Sequence, residues 1–324
     1  MLIDVLMLVG GLAMLIFGGE RLVEGASALA YRWGMSQRMV GLTLVAFGTS
    51  APELFVNLLA SWHGQGELTL GNIIGSNIFN ILAVMGIMAL FTHIKIERAL
   101  VLVEVPLSFL IGIALFILIN DSMWEEGVMD VLNRQEGLVL ILFFVMFIYT
   151  VVFLSWTRRQ SSDLEIKVYY PLWRAILYFL GGIILLGLGG ELTVKGAVNT
   201  ALGLGVSVYF VSVLGIAFGT SLPELVTSIV ALTKKLPSMS VANLIGSNIF
   251  NVSFILALSA VVRPIEYDPI YNVDLLLFIL STFILWAMGM GLKRKRLELH
   301  RTHGIIMLIL FAAYITYIFV RELR

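Results

Sequence analysis

Long apolar runs separated by short polar connections are the main pattern along this chain. A bilayer core of about 30 Å requires about 20 apolar residues per helix, and the sequence supplies about ten such runs. Because the runs are continuous and do not alternate between apolar and polar residues, they favour helices over the strands of a membrane barrel. The predicted spans are 3–28, 39–61, 68–91, 99–120, 137–156, 173–200, 208–232, 239–262, 272–292 and 303–320.

Positively charged residues are concentrated in every second connection between spans. Basic residues follow the odd-numbered spans, whereas the connections after even-numbered spans are neutral or acidic. The positive-inside rule places the basic loops in the cytoplasm, so both termini are predicted to be extracytoplasmic. The basic set comprises Arg32, Arg38, Lys95, Arg98, Arg158, Arg159, Lys167, Lys234, Lys235 and residues 293–296, and the acidic set comprises Asp121, Glu125, Glu126, Asp130, Glu266 and Asp268.

Two polar motifs each occur twice, 171 residues apart. A-F-G-T-S-A-P-E-L at 46–54 returns as A-F-G-T-S-L-P-E-L at 217–225, and N-I-I-G-S-N-I-F-N at 72–80 returns as N-L-I-G-S-N-I-F-N at 243–251. Two homologous halves of five spans each are implied, and an odd number of spans inverts the second half in the membrane. The predicted fold is therefore an all-α integral membrane protein of ten helices in two inverted repeats. The predicted boundaries are 1–157 for the first repeat, 158–172 for a cytoplasmic connecting loop and 173–324 for the second repeat.

Composition agrees with a multi-pass protein of the cell (inner) membrane. Hydrophobic residues make up 59% of the 324 positions and charged residues only 13%. The formal net charge is zero, and without a basic stripe nothing favours a nucleic-acid partner. Cysteine is absent, which excludes disulfides and thiolate metal ligands.

Glu53 and Glu224 fall near the middle of predicted spans. A carboxylate in that place is costly and is by default a functional group. Two other readings stay open: a buried ion pair, for which Lys195 is the nearest candidate at about half a helix away, and a carboxyl that is protonated without function.

Further oxygen atoms accompany each glutamate. Thr49 and Glu53 are four residues apart, which predicts one helical face. Pro52 lacks an N–H, so it should kink the helix and free the carbonyl of Gly48. The same spacing joins Thr220 to Glu224, Ser76 to Asn80 and Ser247 to Asn251. Taken alone, each hydroxyl or asparagine could simply bond to its own helix or join two helices, but the duplicated arrangement favours a common site.

A site of carboxylate, hydroxyl, amide and backbone oxygens favours Ca2+, which takes about 6 to 8 oxygen ligands, over zinc or copper. Na+ is similar in size, so sodium ions could compete for the same oxygens. If only loaded states rearrange, such competition suffices for one gradient to drive the other ion. Ca2+ and Na+ would be transported substrates, and no cofactor is predicted.

The paired motifs G-T-S-A-P-E with G-S-N-I-F-N and G-T-S-L-P-E with G-S-N-I-F-N resemble the two alpha-repeats of the cation/calcium exchanger superfamily, in particular its prokaryotic sodium/calcium exchangers. The resemblance implies that the two glutamates are central to calcium and that sodium sites flank them. It further implies that helices 1 and 6, each with a G-G-E stretch at 18–20 or 189–191, slide across the other eight. The ion ligands implied are Thr49, Ser50, Glu53, Ser76 and Asn80 in the first half, Thr220, Ser221, Glu224, Ser247 and Asn251 in the second, and the backbone carbonyls of Ala46 and Ala217.

One departure concerns Asn80 and Asn251, where many members of that superfamily carry an aspartate in at least one repeat. The neutral pair lowers the negative charge of the site and makes potassium coupling less expected. Glu20 and Glu191 form another acidic pair, for which snorkelling and gating are equally open.

The first functional hypothesis is an antiporter that exports Ca2+ using the sodium gradient, and a monomer suffices for it. The alternative within transport is a H+/Ca2+ antiporter, because the same glutamate pair could exchange protons for calcium. An intramembrane hydrolase is disfavoured because His63, His93, His300 and His303 all fall at predicted helix ends or loops. A calcium channel is disfavoured because one chain with two glutamates cannot build a four-fold acidic ring.

Overall fold

The computed structural model describes residues 2–157, 170–203, 219–290 and 297–322. Within these ranges eight helices are long and apolar enough to cross a membrane, or nine if one bent pair counts as a single span. The predicted seventh span, 208–232, is described only in its second part, so the ten predicted helices are not established. The helices are α1 (Leu2–Trp33), α2 (Gln37–Thr49), α3 (Ala51–Trp62), α4 (Gly66–Phe91), α5 (Leu100–Ile119), α6 (Arg134–Thr157), α7 (Leu172–Gly203), α8 (Leu222–Thr233), α9 (Pro237–Val262), α10 (Asn272–Met290) and α11 (Arg301–Glu322).

The predicted span 39–61 is two helices rather than one. α2 ends at Thr49 and α3 begins at Ala51, with a bend of 48° between them. Pro52 lies in the first turn of α3, where a missing N–H is tolerated. The predicted kink is therefore confirmed, but Thr49 and Glu53 lie on two helices instead of one continuous face.

α4 and α9 form the centre of the bundle and carry the two G-S-N-I-F-N motifs. In the most apolar stretch of each helix, 83% of the residues are buried in α4 and 78% in α9. The corresponding share in α11 is only 17%. Each contains a stretch of wider π-helix at the matching place, Phe79–Val84 in α4 and Asn251–Leu256 in α9. Such π-bulges occur frequently at functional sites, and the apolar pattern did not predict them.

α1 and α7 pack against each other in opposite directions through a seam of glycines. A Cβ atom on Gly182 would lie 2.5 Å from the backbone nitrogen of Leu22, and one on Gly11 would lie 2.5 Å from that of Thr193. Gly25 and Gly196 are blocked in the same way by the partner helix. The absence of side chains thus lets the two backbones approach closely along most of their length.

Two short strand pairs tie the halves together, which the all-α prediction did not include. β1 (Ile94–Ile96) pairs with β4 (Leu297–Leu299), and β2 (Val131–Leu132) pairs with β3 (Ile265–Glu266), both antiparallel. The first pair joins two connections predicted to be basic, and the second joins two predicted to be neutral or acidic. Connections with the same predicted side therefore meet at the same end of the bundle.

Candidate functional site

Two helices begin at the centre of the site in nearly identical fashion. Ser50 precedes α3 with φ −85° and ψ 3°, and Ser221 precedes α8 with φ −93° and ψ 3°. Both helices carry a proline and then a glutamate, Glu53 or Glu224, in the first turn. The N-terminus of a helix carries a partial positive charge, which stabilises a carboxylate placed there. The duplicated sequence thus places two carboxyl groups at two helix ends.

The two carboxyl groups are fully enclosed and incompletely partnered. Glu53 is 0% exposed and Glu224 is 1% exposed. Oε1 of Glu224 accepts hydrogen bonds from Ser50 Oγ at 3.1 Å and Ser247 Oγ at 3.5 Å. Oε2 of Glu224 and both side-chain oxygens of Glu53 have no hydrogen-bond partner among the described residues. Ser50, which bonds to Glu224, immediately precedes the helix that carries Glu53.

Hydroxyl groups from both repeats meet beside Glu224. Ser50 Oγ lies 3.1 Å from Ser247 Oγ, and Thr49 Oγ1 lies 3.4 Å from the same atom. Thr49 Oγ1 also lies 3.3 Å from the carbonyl of Ala46, which accepts the Ser50 N–H at 2.9 Å. Four of the residues implied by the family resemblance are therefore grouped around one glutamate.

The matching group of the second repeat is arranged differently. Thr220 Oγ1 donates to Asn72 Oδ1 at 2.8 Å, and Ser76 Oγ donates to the same oxygen at 3.4 Å. Ser221 Oγ is buried without a partner in the described part of the chain. Ala217, named above for its carbonyl, lies outside the described residues.

Asn80 and Asn251 face each other's repeat across the centre of the bundle. Asn80 Nδ2 donates to Asn248 Oδ1, and Asn251 Nδ2 donates to Asn77 Oδ1, both at 3.0 Å. Asn77 and Asn248 in turn donate to each other's backbone carbonyls at 3.4 and 3.2 Å. These bonds use the amide nitrogens and leave the Oδ1 atoms of Asn80 and Asn251 without described partners.

Sequence reasoning missed two kinds of buried polar residue here. Asn72, Asn243, Asn77 and Asn248 stand inside the duplicated motifs, so the repeat itself was a signal that could have identified them. The other kind makes the second layer of contacts: Asn57 accepts from Asn72 at 3.3 Å and its counterpart Ser228 accepts from Asn243 at 3.1 Å. Because Asn57 and Ser228 differ in type, the repeat gave no signal for them.

No basic side chain compensates the two glutamates in the part of the chain that is described. The ion pairs found there involve other carboxylates, and Lys195 pairs with the exposed Glu191 on its own helix α7. No three His, Cys, Asp or Glu side chains within the described ranges form a metal-binding group. A cation at this place would therefore be held by two carboxylates together with neutral oxygens, the ligands that hard cations prefer.

Family and fold together identify a membrane antiporter for cations. The family described as sodium/calcium exchanger protein matches residues 3–153 and 174–320, and the chain belongs to that family. The resemblance of this chain to prokaryotic sodium/calcium exchangers is confirmed by similar proteins and solved structures.

Several relatives are similar over nearly the whole chain. The putative antiporter CaxA of Alkalimonas amylolytica is 32% identical, covering 97% of this chain and 98% of the relative. The sodium/calcium exchanger MaX1 of Methanosarcina acetivorans is 25% identical, with 98% and 99% covered. The solved sodium-calcium exchanger NCX_Mj, soaked with 100 mM Na+ and 10 mM Sr2+, superimposes with a TM-score of 0.80 at 28% identity, covering 97% of this chain and 98% of the other.

Proposed function

We propose that this protein exchanges Na+ for Ca2+ across the cell membrane by alternating access, with both ions bound at the centre of the bundle by the two repeats. Glu53 and Glu224 hold the calcium ion. Sodium ions occupy positions to either side, held mainly by neutral oxygens. The proposed sodium ligands are Thr49, Ser50, Ser76, Asn80, Thr220, Ser221, Ser247, Asn251 and the carbonyls of Ala46 and Ala217.

The observation that carries this proposal is the set of buried oxygens without partners. Three of the four carboxylate oxygens of Glu53 and Glu224 accept no hydrogen bond from the described residues, although an unpaired buried charge is strongly unfavourable. A divalent cation between them supplies the missing charge and takes several oxygens at once. The unpartnered oxygens of Asn80, Asn251 and Ser221 add neutral ligands of the same chemistry.

Alternating access is supported by how the two glutamates differ. Glu224 is held by serines of both repeats, whereas Glu53 makes no comparable bond. In a transporter built from inverted repeats, the two repeats adopt different conformations, and the site is open to one side of the membrane. When the repeats exchange conformations, the site opens to the other side. The glycine seam packs α1 closely against α7, so that these two helices move as a unit against the remaining helices.

The orientation is proposed from charge and strand pairing together. The β1–β4 pair brings together two connections rich in lysine and arginine, which we place in the cytoplasm. The β2–β3 pair then lies outside, as do both termini. Lys234, in another connection predicted to be cytoplasmic, bonds to Glu24 of α1 at 2.8 Å, which agrees with this arrangement.

A H+/Ca2+ antiporter is the second candidate, because unpartnered carboxyl oxygens can bind protons as well as a metal ion. The hydroxyl groups around Glu224 favour sodium, since a proton needs no further ligands. Calcium uptake into vesicles that contain the purified protein distinguishes the two. We expect an imposed Na+ gradient to drive uptake without a pH gradient. Uptake driven by the pH gradient alone would overturn sodium coupling.

A further inference from the structure

Asn72 and Asn243 occupy equivalent places in the two repeats and contact the threonine of the opposite repeat. They are 4% and 1% exposed. Thr220 Oγ1 donates to Asn72 Oδ1 at 2.8 Å, and Thr49 Oγ1 lies 3.3 Å from Asn243 Oδ1, sharing its one hydrogen between that oxygen and the carbonyl of Ala46. The same contact therefore occurs twice, each time across the boundary between repeats.

A hydroxyl group has one hydrogen and two acceptor lone pairs. When its oxygen binds a cation, its hydrogen must point away from the ion and toward an acceptor. The amide oxygen of Asn72 accepts the hydrogens of both Thr220 and Ser76. It therefore determines the direction in which the lone pairs of two proposed ligands point.

The amide groups are themselves oriented by a further layer of hydrogen bonds. Asn72 Nδ2 donates to Asn57 Oδ1 at 3.3 Å, and Asn57 Nδ2 donates to the backbone carbonyl of Glu53 at 2.7 Å. Asn243 Nδ2 donates to Ser228 Oγ at 3.1 Å. With the amide reversed, the NH2 group would face the threonine, and a donor would replace the acceptor that the hydroxyl hydrogen needs.

We infer that Asn72 and Asn243 are positioning residues that set the affinity for sodium by orienting the hydroxyl ligands. The inference rests on the proposed function. Calcium is held chiefly by the charged oxygens of Glu53 and Glu224, so it depends less on the direction of a neutral hydroxyl. Sodium carries half the charge and relies more on the neutral oxygens.

Asn72 and Asn243 are oriented by different hydrogen-bonding partners. The first chain of bonds runs through Asn57 to the helix that carries Glu53, whereas the second runs through Ser228, whose Oγ lies 3.5 Å from the carbonyl of Ser240 on α9. A sodium ligand of the second repeat, Thr220, is thus linked to the glutamate helix of the first. Changing Asn57 should therefore reproduce the effect of changing Asn72.

The test compares Asn72→Leu and Asn57→Ala with the unchanged protein in vesicles. The half-saturating concentrations of Na+ and Ca2+ are measured separately in exchange assays. Losing one oriented hydrogen bond of about 1 kcal/mol corresponds to roughly a fivefold change. We expect Asn72→Leu and Asn57→Ala to raise the half-saturating Na+ concentration about fivefold while that of Ca2+ changes less than about twofold.

The matched control is Asn120→Leu. Asn120 is also 1% exposed and makes two amide hydrogen bonds, to Phe116 and Asn272, away from the glutamates. The inference would be overturned if the half-saturating Na+ concentration rose as much in this control as in Asn72→Leu. It would also be overturned if Asn72→Leu lost affinity for Na+ and Ca2+ equally. If Asn72→Leu does not fold, Asn57→Ala decides, and an unchanged Na+ value there overturns it. Absence of Na+-driven uptake by the unchanged protein would instead refute the proposed function.

Discussion

The hydroxyl of Ser50 lies 3.1 Å from Oε1 of Glu224 and donates a hydrogen bond to it. A serine of the first repeat thus contacts the glutamate of the second. The reciprocal contact, from Ser221 to Glu53, is absent among the described residues because neither side chain has a hydrogen-bond partner there. The two repeats therefore meet at one place in the bundle but hold their carboxyl groups differently.

Replacement of either glutamate by glutamine should abolish calcium transport. Glu53→Gln and Glu224→Gln keep nearly the same shape but remove one negative charge from the group proposed to balance a divalent ion. Uptake of radioactive calcium into vesicles is expected to fall to the level of empty vesicles, while each variant still purifies as a folded membrane protein. Glu125→Gln in an exposed connection is the control. Normal uptake by either site variant would refute the assignment.

Removal of a serine hydroxyl should affect sodium more than calcium. Ser50→Ala and Ser221→Ala each delete a neutral oxygen, and a contribution of about 1 kcal/mol corresponds to roughly a fivefold rise in the half-saturating Na+ concentration. Sodium and calcium titrations of the exchange rate measure the two effects. A larger change for calcium than for sodium would show that these hydroxyls serve the calcium site instead.

Adjacent glycines on α7 offer a paired test of the contact with α1. A Cβ on Gly182 would lie 2.5 Å from the backbone nitrogen of Leu22, whereas one on Gly181 would have no atom within 4 Å. Gly182→Ala should therefore lower the thermal midpoint of unfolding in detergent and reduce exchange, and Gly181→Ala should change neither. Equal behaviour of the two variants would show that the helices do not pack closely through this seam.

A buried ion pair between α2 and α5 should contribute to stability rather than to ion binding. Arg38 Nη1 lies 3.2 Å from Glu104 Oε1, and the two residues are 4% and 0% exposed. Arg38→Met removes the guanidinium from this buried pair, and breaking such a pair costs about 3 to 5 kcal/mol. The thermal midpoint should fall for Arg38→Met and stay unchanged for Lys195→Gln, which breaks an exposed pair. An unaltered midpoint in Arg38→Met would contradict the structural role.

Much of the architecture could be predicted from the sequence because a bilayer imposes simple rules. Apolar runs identified α4, α5 and α9 to within about two residues, since membrane helices must satisfy every backbone group internally. The duplicated motifs contain Thr49, Ser50, Glu224 and Ser247, which the structure brings into one group. The ion-ligand roles of these residues remain a proposal.

Other features have no local signature. The break at Ser50 depends on how α2 and α3 pack, and the π-helical stretches at Phe79–Val84 and Asn251–Leu256 leave the apolar pattern unchanged. The ion pair of Glu104 with Arg38 was not predicted, because the two residues are 66 positions apart and a single acidic residue in an apolar run does not indicate its partner. The β1–β4 and β2–β3 pairs depend on contacts between distant connections, which hydropathy does not predict.

The most direct test of the central claim is a crystal structure of the protein soaked separately in Ca2+ and in Na+. We predict that calcium gives one strong peak between the carboxylates of Glu53 and Glu224. In sodium that peak should be replaced by weaker peaks beside the threonine and serine hydroxyls. Two glutamates that point apart, or that contact a lysine or arginine with no metal between them, would contradict the account.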